Sequence, residues 1–136
     1  MSEENKALTR RFFDEVVNGR NLDAIDEMLA DDFVEHEALP GMPTDKEAPK
    51  QFFGMLHAAV PDLRVEIEDM MAEGDQVAVR ALARGTHQGE LMGIPGTGRS
   101  FEMPWVDWVE IRDGKCTAHW GVTDLSGLMQ ESPAPA

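Results

Sequence analysis

The sequence lacks several features that would assign it to a protein class at once. Its 136 residues include one cysteine, Cys116, no tyrosine, and no apolar run of the roughly 20 residues that span a bilayer. A single cysteine excludes an intrachain disulfide, and the opening segment MSEENKALTRR lacks the apolar stretch of a secretory signal. We therefore expect a protein of the reducing cytoplasm.

Basic residues are also scarce. Twelve Lys and Arg residues stand against 26 Asp and Glu residues, which gives a formal net charge of -14 at pH 7. This charge repels phosphate backbones and anionic lipid headgroups, so we expect no nucleic-acid or membrane partner. The chain is long enough for one core without disulfides or a structural metal. We expect a single domain over residues 1–131 and a frayed tail over residues 132–136, which contains only Ser, Pro and Ala.

The first half of the chain has the periodicity of helices. Apolar residues recur every three or four positions over residues 4–18, and again in a short segment that begins near Asn21. Residues 44–47 have the spacing of a capping box, which predicts the start of a third helix that Pro61 ends. Residues 35–43 contain two prolines and one glycine, so we expect a loop there.

The second half of the chain has the period of two that is typical of strands. Alternation predicts strands over residues 63–69, 77–86, 101–111 and 116–124, with an Asp-Gly hairpin turn at residues 113–114. Three helices followed by four strands indicate an α+β fold with the helices on one face of an antiparallel sheet. If the sheet curves, its concave face and the helices enclose a cone-shaped cavity suited to a small molecule.

Two carboxylates interrupt the apolar faces of these strands. Asp107 shares a face with Met103 and Trp105, and Asp124 closes an alternating row that includes Trp120. Because burial disfavours the charged form and raises a carboxyl pKa towards neutral pH, both residues are candidates for general acid/base catalysis. Either Asp could instead accept backbone hydrogen bonds at a strand end or pair with an arginine of a neighbouring strand. Asp124 could also cap a following helix.

Three histidines are further candidates. His36 lies in the predicted loop, His87 at a strand end, and His119 beside a tryptophan on the last strand. A neutral imidazole donates and accepts hydrogen bonds at once, which suits a proton shuttle, although each could be an ordinary surface or core histidine. Strict alternation puts His119 on the face opposite Asp124, so a contact between them would require a bulge.

Motifs for metals and nucleotides are absent from the sequence. It contains no His-x-x-x-His or Cys-x-x-Cys pair, and no glycine-rich phosphate motif. The acidic residues 31–37 are interpreted as a solvated loop, and the glycine-rich residues 93–98 as a connection between strands. We expect no metal and no cofactor. Trp105 and Trp120 lie on the predicted faces of the two carboxylates and would suit a flat, apolar ligand.

Several separate pieces of the chain resemble the SnoaL-like polyketide cyclase (ester cyclase) family of the nuclear transport factor 2-like superfamily. The resemblance covers roughly residues 5–130. The matching pieces are the helix over residues 5–13, Asn21-Leu22-Asp23-Ala24-Ile25, Asp32-Phe33-Val34-Glu35-His36, Pro61-Asp62-Leu63, Gly85-Thr86-His87-Gln88-Gly89, Gly93-Ile94-Pro95, Asp113-Gly114-Lys115, and His119-Trp120 followed by Asp124.

The resemblance implies a cone-shaped α+β barrel and cofactor-free ring closure of a polyketide by intramolecular aldol condensation. It carries the family's key Asp over to Asp124, which would remove the proton alpha to a carbonyl and later return one. The family's loop His corresponds to His36, and polar pocket groups occur in relatives at the position of Asp107. His87 and His119 match motif positions without an assigned role. The resemblance also implies a homodimer.

We therefore expect acid/base catalysis on a small hydrophobic carbonyl compound. A shared scaffold does not establish a reaction. The alternatives are therefore an isomerase, an epoxide hydrolase-like enzyme, or a binder of apolar metabolites without catalysis. The expected catalytic residues are Asp124, His36, His119 and Asp107, and the expected substrate-binding residues are Trp105, Trp120, His87, Met103, Phe12 and Phe53.

Overall fold

The structure is a computed structural model that describes residues 2–38, 41–91 and 93–123, with the backbone alone for Thr123. The predicted residue Asp124, the possible helix after it and the tail lie outside the described residues. In chain order the elements are α1 (Ser2–Phe12), a π-helix (Phe13–Asn18), a 3-10 helix (Leu22–Ala24), α2 (Ile25–Met28), β1 (Leu29–Glu35), α3 (Glu47–Ala59), β2 (Arg64–Glu73), β3 (Gln76–Thr86), β4 (Ser100–Arg112) and β5 (Lys115–Thr123).

The strands form one mixed sheet in the order β1-β5-β4-β3-β2, with the helices packed on one face. Neighbouring strands are antiparallel except for β1 and β5, which run parallel. The predicted α+β class and mostly antiparallel sheet are therefore confirmed. Within the described part of the chain, no helix is long and apolar enough to cross a membrane.

Strand β1 is the main departure from the predicted elements. Its sequence LADDFVE has no sustained alternation, because two adjacent exposed aspartates interrupt it. Pairing with β5 forms the strand instead, and aligns Val34 with Ala118 and Glu35 with His119. Charged residues on a short edge strand also discourage pairing with other chains. The loop predicted to begin at Glu35 therefore begins one residue later.

The start of α3 also differs from its prediction. The helix begins at Glu47, and no side chain of the residue before it caps the helix. The backbone carbonyl of Thr44 accepts a 2.8 Å hydrogen bond from the Glu35 N–H, which holds Thr44 against β1 before the helix begins. The side chain of Asp45 accepts the Glu47 N–H at 2.9 Å instead. The predicted capping box is therefore wrong.

Two backbone features set the geometry of β5. Asp113 and Gly114 have φ values of 52° and 76°, which match the predicted two-residue hairpin turn between β4 and β5. Beyond the turn, Ile111 pairs with Cys116 but Glu110 pairs with Ala118, so Thr117 forms a bulge. A bulge adds one residue and reverses the alternation of the residues that follow it.

Candidate active site

A cavity of about 400 Å³ lies between the helices and the sheet face formed by β1, β4 and β5. Its volume is within the range of pockets that hold small organic ligands. Helices α1 and α3 contribute mainly apolar side chains, and the three strands contribute both apolar and ionisable ones. The aromatic residues of the wall are Phe12, Phe13, Phe33, Phe52, Phe53 and Trp105.

Aromatic rings form one continuous wall of the cavity. The ring of Phe53 is stacked on Trp105 at 6.1 Å and 14°, and Phe12 packs edge-on against Phe53 at 6.0 Å. The indole of Trp105 is only 3% exposed, and Phe52 lies edge-on to it at 6.2 Å. Such rings offer flat apolar surfaces that suit a planar ligand.

Three ionisable side chains meet at the same cavity wall. His119 on β5 contacts Glu35 at the end of β1 through Nδ1, at 2.6 Å from Oε2, and contacts Asp107 on β4 through Nε2, at 2.7 Å from Oδ1. The side chains of Glu35 and Asp107 are only 10% and 15% exposed. We call Glu35, His119 and Asp107 the carboxylate-imidazole cluster.

Neighbouring groups fix both carboxylates of the cluster. The indole N–H of Trp105 donates to Oδ2 of Asp107 at 2.8 Å, so both oxygens of this carboxylate accept a hydrogen bond. The backbone N–H of Glu37 donates to Oε2 of Glu35 at 3.1 Å. Hydrogen bonds of this kind orient charged groups before any ligand binds.

The two carboxylates control the charge of His119. Burial alone would lower the pKa of this imidazole, but the hydrogen bonds and negative charges of Asp107 and Glu35 outweigh it and raise the pKa to about 10. The ring therefore carries a proton on each nitrogen near neutral pH, and has no lone pair free for a metal. In the described part of the chain, no group of three or more His, Cys, Asp or Glu residues is arranged to hold a metal ion.

Gly121 provides the space for the bond between Asp107 and His119. It lies directly opposite Asp107 in the β4–β5 pairing. A Cβ atom at this position would lie 2.8 Å from Asp107 Oδ1 and 2.8 Å from Cε1 and Nε2 of His119, which is closer than real Cβ atoms approach other atoms. A side chain at position 121 would therefore displace the hydrogen-bonded atoms.

Cys116 also lines the cavity, and its thiol stays protonated. Burial raises the pKa of its thiol to about 12, and the charges of Glu35 and Asp107 add to this effect. Its Sγ donates to the carbonyl of Ala118 at 3.4 Å. Because the thiolate is the reactive form, the neutral thiol acts as an apolar part of the wall.

The structure brings together some of the residues expected from the sequence. Asp107 and His119 contact each other, and Phe12, Phe53 and Trp105 line the cavity beside them. The alternative in which Asp107 pairs with an arginine is wrong, since the arginines of β3 pair with glutamates and an aspartate of β2 and β4. Asp124 lies outside the described residues, so its assignment stays a prediction.

His36 and Trp120 lie on the other face of the sheet. Their rings are stacked at 4.4 Å and 4° from parallel, and neither residue lines the cavity. The expected position of Trp120 is wrong because the bulge at Thr117 turns His119 and Gly121 towards the cavity and Trp120 away from it. His36 follows Glu35 in the turn after β1 and is exposed.

Two other expected contact residues are buried without lining the cavity. Met103 is fully buried in the core. His87 is 1% exposed, and neither of its ring nitrogens has a hydrogen-bond partner among the described residues. Neither side chain is part of the cavity wall that the cluster occupies.

Sequence reasoning missed Glu35. It placed this residue in a solvated acidic loop, because Asp31 and Asp32 precede it and Glu37 follows it. One signal could have identified it: buried Phe33 lies two positions earlier, and residues two apart in a strand point to the same face. That signal can be used only once β1 is recognised as a strand.

Comparison with known proteins supports the same scaffold. A family model described as SnoaL-like polyketide cyclase matches residues 7–132. The chain is 28% identical over 120 residues to nogalonic acid methyl ester cyclase of Streptomyces nogalater, a match that covers 87% of this chain and 90% of that protein.

Solved structures with a similar fold extend this likeness. AclR of Streptomyces galilaeus, a candidate hydroxylase, has a TM-score of 0.83 and 30% identity, with 94% of both chains covered. IdmH of Streptomyces antibioticus, a candidate polyketide cyclase, has a TM-score of 0.78 and 33% identity, over 90% of this chain and 94% of its own. This chain belongs to the SnoaL-like polyketide cyclase family of enzymes.

Proposed function

We propose that this protein closes a ring in a neutral, hydrophobic carbonyl compound by acid/base catalysis without a cofactor, as in an intramolecular aldol condensation. One observation carries the proposal: the carboxylate-imidazole cluster lies in the wall of a cavity whose lining is mostly apolar and aromatic. The relative from Streptomyces nogalater, which is by name a methyl ester cyclase, supports ring closure as the reaction.

The charge of the wall supports a neutral substrate. Two carboxylates and one imidazolium leave the cluster with one net negative charge. Apart from His119, no cationic side chain lines the cavity among the described residues. A ligand with a free carboxylate would lose hydration and meet repulsion in this wall, whereas its ester would not. The aromatic wall favours a planar, partly cyclised molecule.

Asp107 is the residue that we assign to proton removal. Each of its oxygens accepts one hydrogen bond, and an ionised carboxylate has about four acceptor positions, so positions remain for a substrate proton. Asp107 takes the proton alpha to a carbonyl, and the C–H electron pair becomes the enolate. The fixed positive charge of His119 lies beside this carboxylate and stabilises the developing negative charge.

Ring closure then needs no oxidant or reductant. The enolate carbon attacks a second carbonyl carbon of the same molecule, which forms a C–C bond and an alkoxide. Asp107 returns its proton to that alkoxide and becomes a carboxylate again. Reactant and product therefore have the same composition, and dehydration of the aldol would be a separate step.

Asp124 is the family-based candidate for the same step. The described part of β5 ends at Thr123, whose backbone pairs with Trp105 of the cavity wall. The variants Asp107→Asn and Asp124→Asn separate the two assignments. The variant that lacks the base should lose turnover by at least about a hundredfold, as general base catalysis contributes, and should keep its affinity for the substrate.

The test uses aromatic poly-carbonyl methyl esters and their free acids. We expect conversion of an ester to a cyclised product of unchanged mass, followed by mass spectrometry, with weaker binding of the acid by calorimetry. Unchanged turnover in Asp107→Asn would remove Asp107 from the mechanism. Incorporation of oxygen from labelled water would indicate an epoxide hydrolase-like reaction, and tight binding without turnover would indicate a binder.

We also propose that the protein forms a homodimer through the outer face of β4 and β5. Val106, Trp108 and Val122 are 46%, 50% and 71% exposed, and Val122 also borders the cavity. Cross-strand pairing places Val106 beside Val122 and Trp108 beside Trp120, so these side chains form one apolar surface. Contiguous apolar surfaces of this kind are typical of association sites.

A further inference from the structure

We propose that Glu35 is a third functional residue of the site: a positioning residue that, together with Asp107, holds His119 by both ring nitrogens as a fixed imidazolium. The proposal rests on the proposed function for the role of the positive charge in catalysis. The charge itself can be measured without a substrate. Neither the family resemblance nor the sequence pattern assigns a role to Glu35.

The two contacts of His119 require two N–H groups. Its Nδ1 lies 2.6 Å from Glu35 and its Nε2 lies 2.7 Å from Asp107. An ionised carboxylate only accepts hydrogen bonds, and a neutral imidazole has a single N–H to donate. Both contacts are therefore satisfied at once when the ring is doubly protonated, and the short distances are typical of charge-assisted hydrogen bonds.

The backbone holds Glu35 in place without a ligand. Glu35 and His119 are directly opposite each other in the parallel β1–β5 pairing, and the backbone N–H of His36 donates to the His119 carbonyl at 2.9 Å. The N–H of Glu37 donates to the same Glu35 oxygen that contacts the imidazole. The carboxylate is therefore oriented by its own strand and turn rather than by a flexible loop.

Among the described residues, titratable groups face His119 from each neighbouring strand. Glu35 approaches from β1, Asp107 from β4 and the neutral thiol of Cys116 from β5 itself. Glu37 lines the cavity from the turn after β1, and the cavity-lining side chains of α1 and α3 are uncharged. The charge of the imidazole therefore depends on Glu35 and Asp107, whose combined effect exceeds the cost of burial.

A permanently protonated His119 has a different role in the site from the carboxylates. A histidine with an ordinary pKa exchanges protons near neutral pH and can act as a shuttle. His119 instead keeps its two protons, so it cannot accept a proton from the substrate. It supplies fixed positive charge, and proton transfer falls to a carboxylate. Glu35 acts on the reaction through His119, since it sets the ring's orientation and charge.

The test is an NMR titration of the four histidines in the ligand-free protein. Proteins labelled with ¹⁵N at histidine would be titrated from about pH 5 to about pH 11, so that the curve spans both the ordinary imidazole pKa and the raised one, with His119→Gln to assign the signals. In the wild type we expect both ring nitrogens of His119 to keep imidazolium shifts beyond pH 9. Glu35→Gln and Asp107→Asn should each lower the midpoint by at least one pH unit, a tenfold loss of proton affinity.

Asp32→Asn is the matched control, because it removes one negative charge from an exposed position on the same strand. It should leave the His119 midpoint within a few tenths of a unit. Circular dichroism would check the fold of each variant. If Glu35→Gln does not fold, Glu35→Asp replaces it. This variant keeps the carboxylate but moves it one methylene away from the imidazole, so it should lower the His119 midpoint by less than the loss of the charge would.

Two results would overturn the proposal. One is a wild-type His119 that titrates near pH 6.5. The other is an unchanged midpoint in the folded Glu35 variant, which would make Asp107 alone responsible. The titration needs no substrate, whereas the proposed function is tested by turnover of Asp107→Asn. The role of Glu35 and the proposed ring closure can therefore be refuted independently of each other.

Discussion

The substitution Gly121→Ala tests the cluster without changing any ionisable residue. The added Cβ would lie 2.8 Å from Asp107 Oδ1 and from Nε2 of His119, the two atoms that the 2.7 Å hydrogen bond joins. Both side chains belong to paired strands, and Trp105 and Glu35 hold their other ends. We therefore expect the methyl group to separate the pair rather than to be accommodated.

The magnitude follows from the bond that would be lost. A hydrogen bond to a charged group contributes about 1.5–3 kcal/mol, and one pKa unit corresponds to about 1.4 kcal/mol. The pKa of His119 should therefore fall by roughly one to two units from about 10. The free energy of unfolding near pH 7 should fall by about 1.5–3 kcal/mol, and turnover should fall at least tenfold.

The assays are the histidine NMR titration, urea unfolding and turnover of the same samples. Gly54→Ala is the matched control, since its Cβ would have only an ordinary 3.8 Å contact with Leu22 and Ala is favoured over Gly in a helix by up to about 1 kcal/mol. It should raise stability slightly and leave His119 unchanged. Wild-type titration and stability in Gly121→Ala would refute the role given to the bond between Asp107 and His119.

Three further predictions concern pH, thiol chemistry and association. Because the pKa of His119 is raised above its unfolded value, its stabilisation is full below about pH 6.5 and is lost as the pH rises towards about 10. Between pH 7 and 8.5, the free energy of unfolding measured in urea should therefore fall by up to about 1.4 kcal/mol per pH unit because of this residue. The variant His119→Gln should lose this slope, and a variant with the same slope as the wild type would contradict the assignment. The Cys116 thiol should react with iodoacetamide at pH 8 far more slowly in the folded than in the urea-unfolded protein, and equal rates would show that it is not protected. Sedimentation should reveal a dimer that Trp108→Glu weakens, and a monomeric wild type would exclude the proposed interface.

Much of the fold could be predicted because its signals are local. The apolar periodicity of α1 and α3, the alternation in β2 to β4 and the Asp-Gly turn each depend on residues close together in the chain. The same alternation places Asp107 and Trp105 on one face of β4, where the structure has them. These residues could be assigned to a cavity wall before any tertiary contact was known.

The errors occur where distant residues set the local structure. Strand β1 has little alternation of its own and exists through its pairing with β5. The bulge at Thr117 depends on pairing with β4, where the Thr117 hydroxyl hydrogen-bonds Glu110 at 2.6 Å. This one extra residue moves His119 into the cavity and Trp120 out of it. Strict alternation without the bulge predicts the opposite placement of both residues.

The sequence by itself determined the α+β class, the order of the predicted helices and strands, and a carboxylate among apolar side chains on β4. Only the tertiary structure decided which groups complete the site, because Glu35 and His119 are 84 residues apart and meet through the parallel pairing of β1 with β5. The charge of His119 is decided in the same way. An imidazole has an ordinary pKa in the isolated chain, and two carboxylates from different strands must converge on it in a buried wall to keep it protonated.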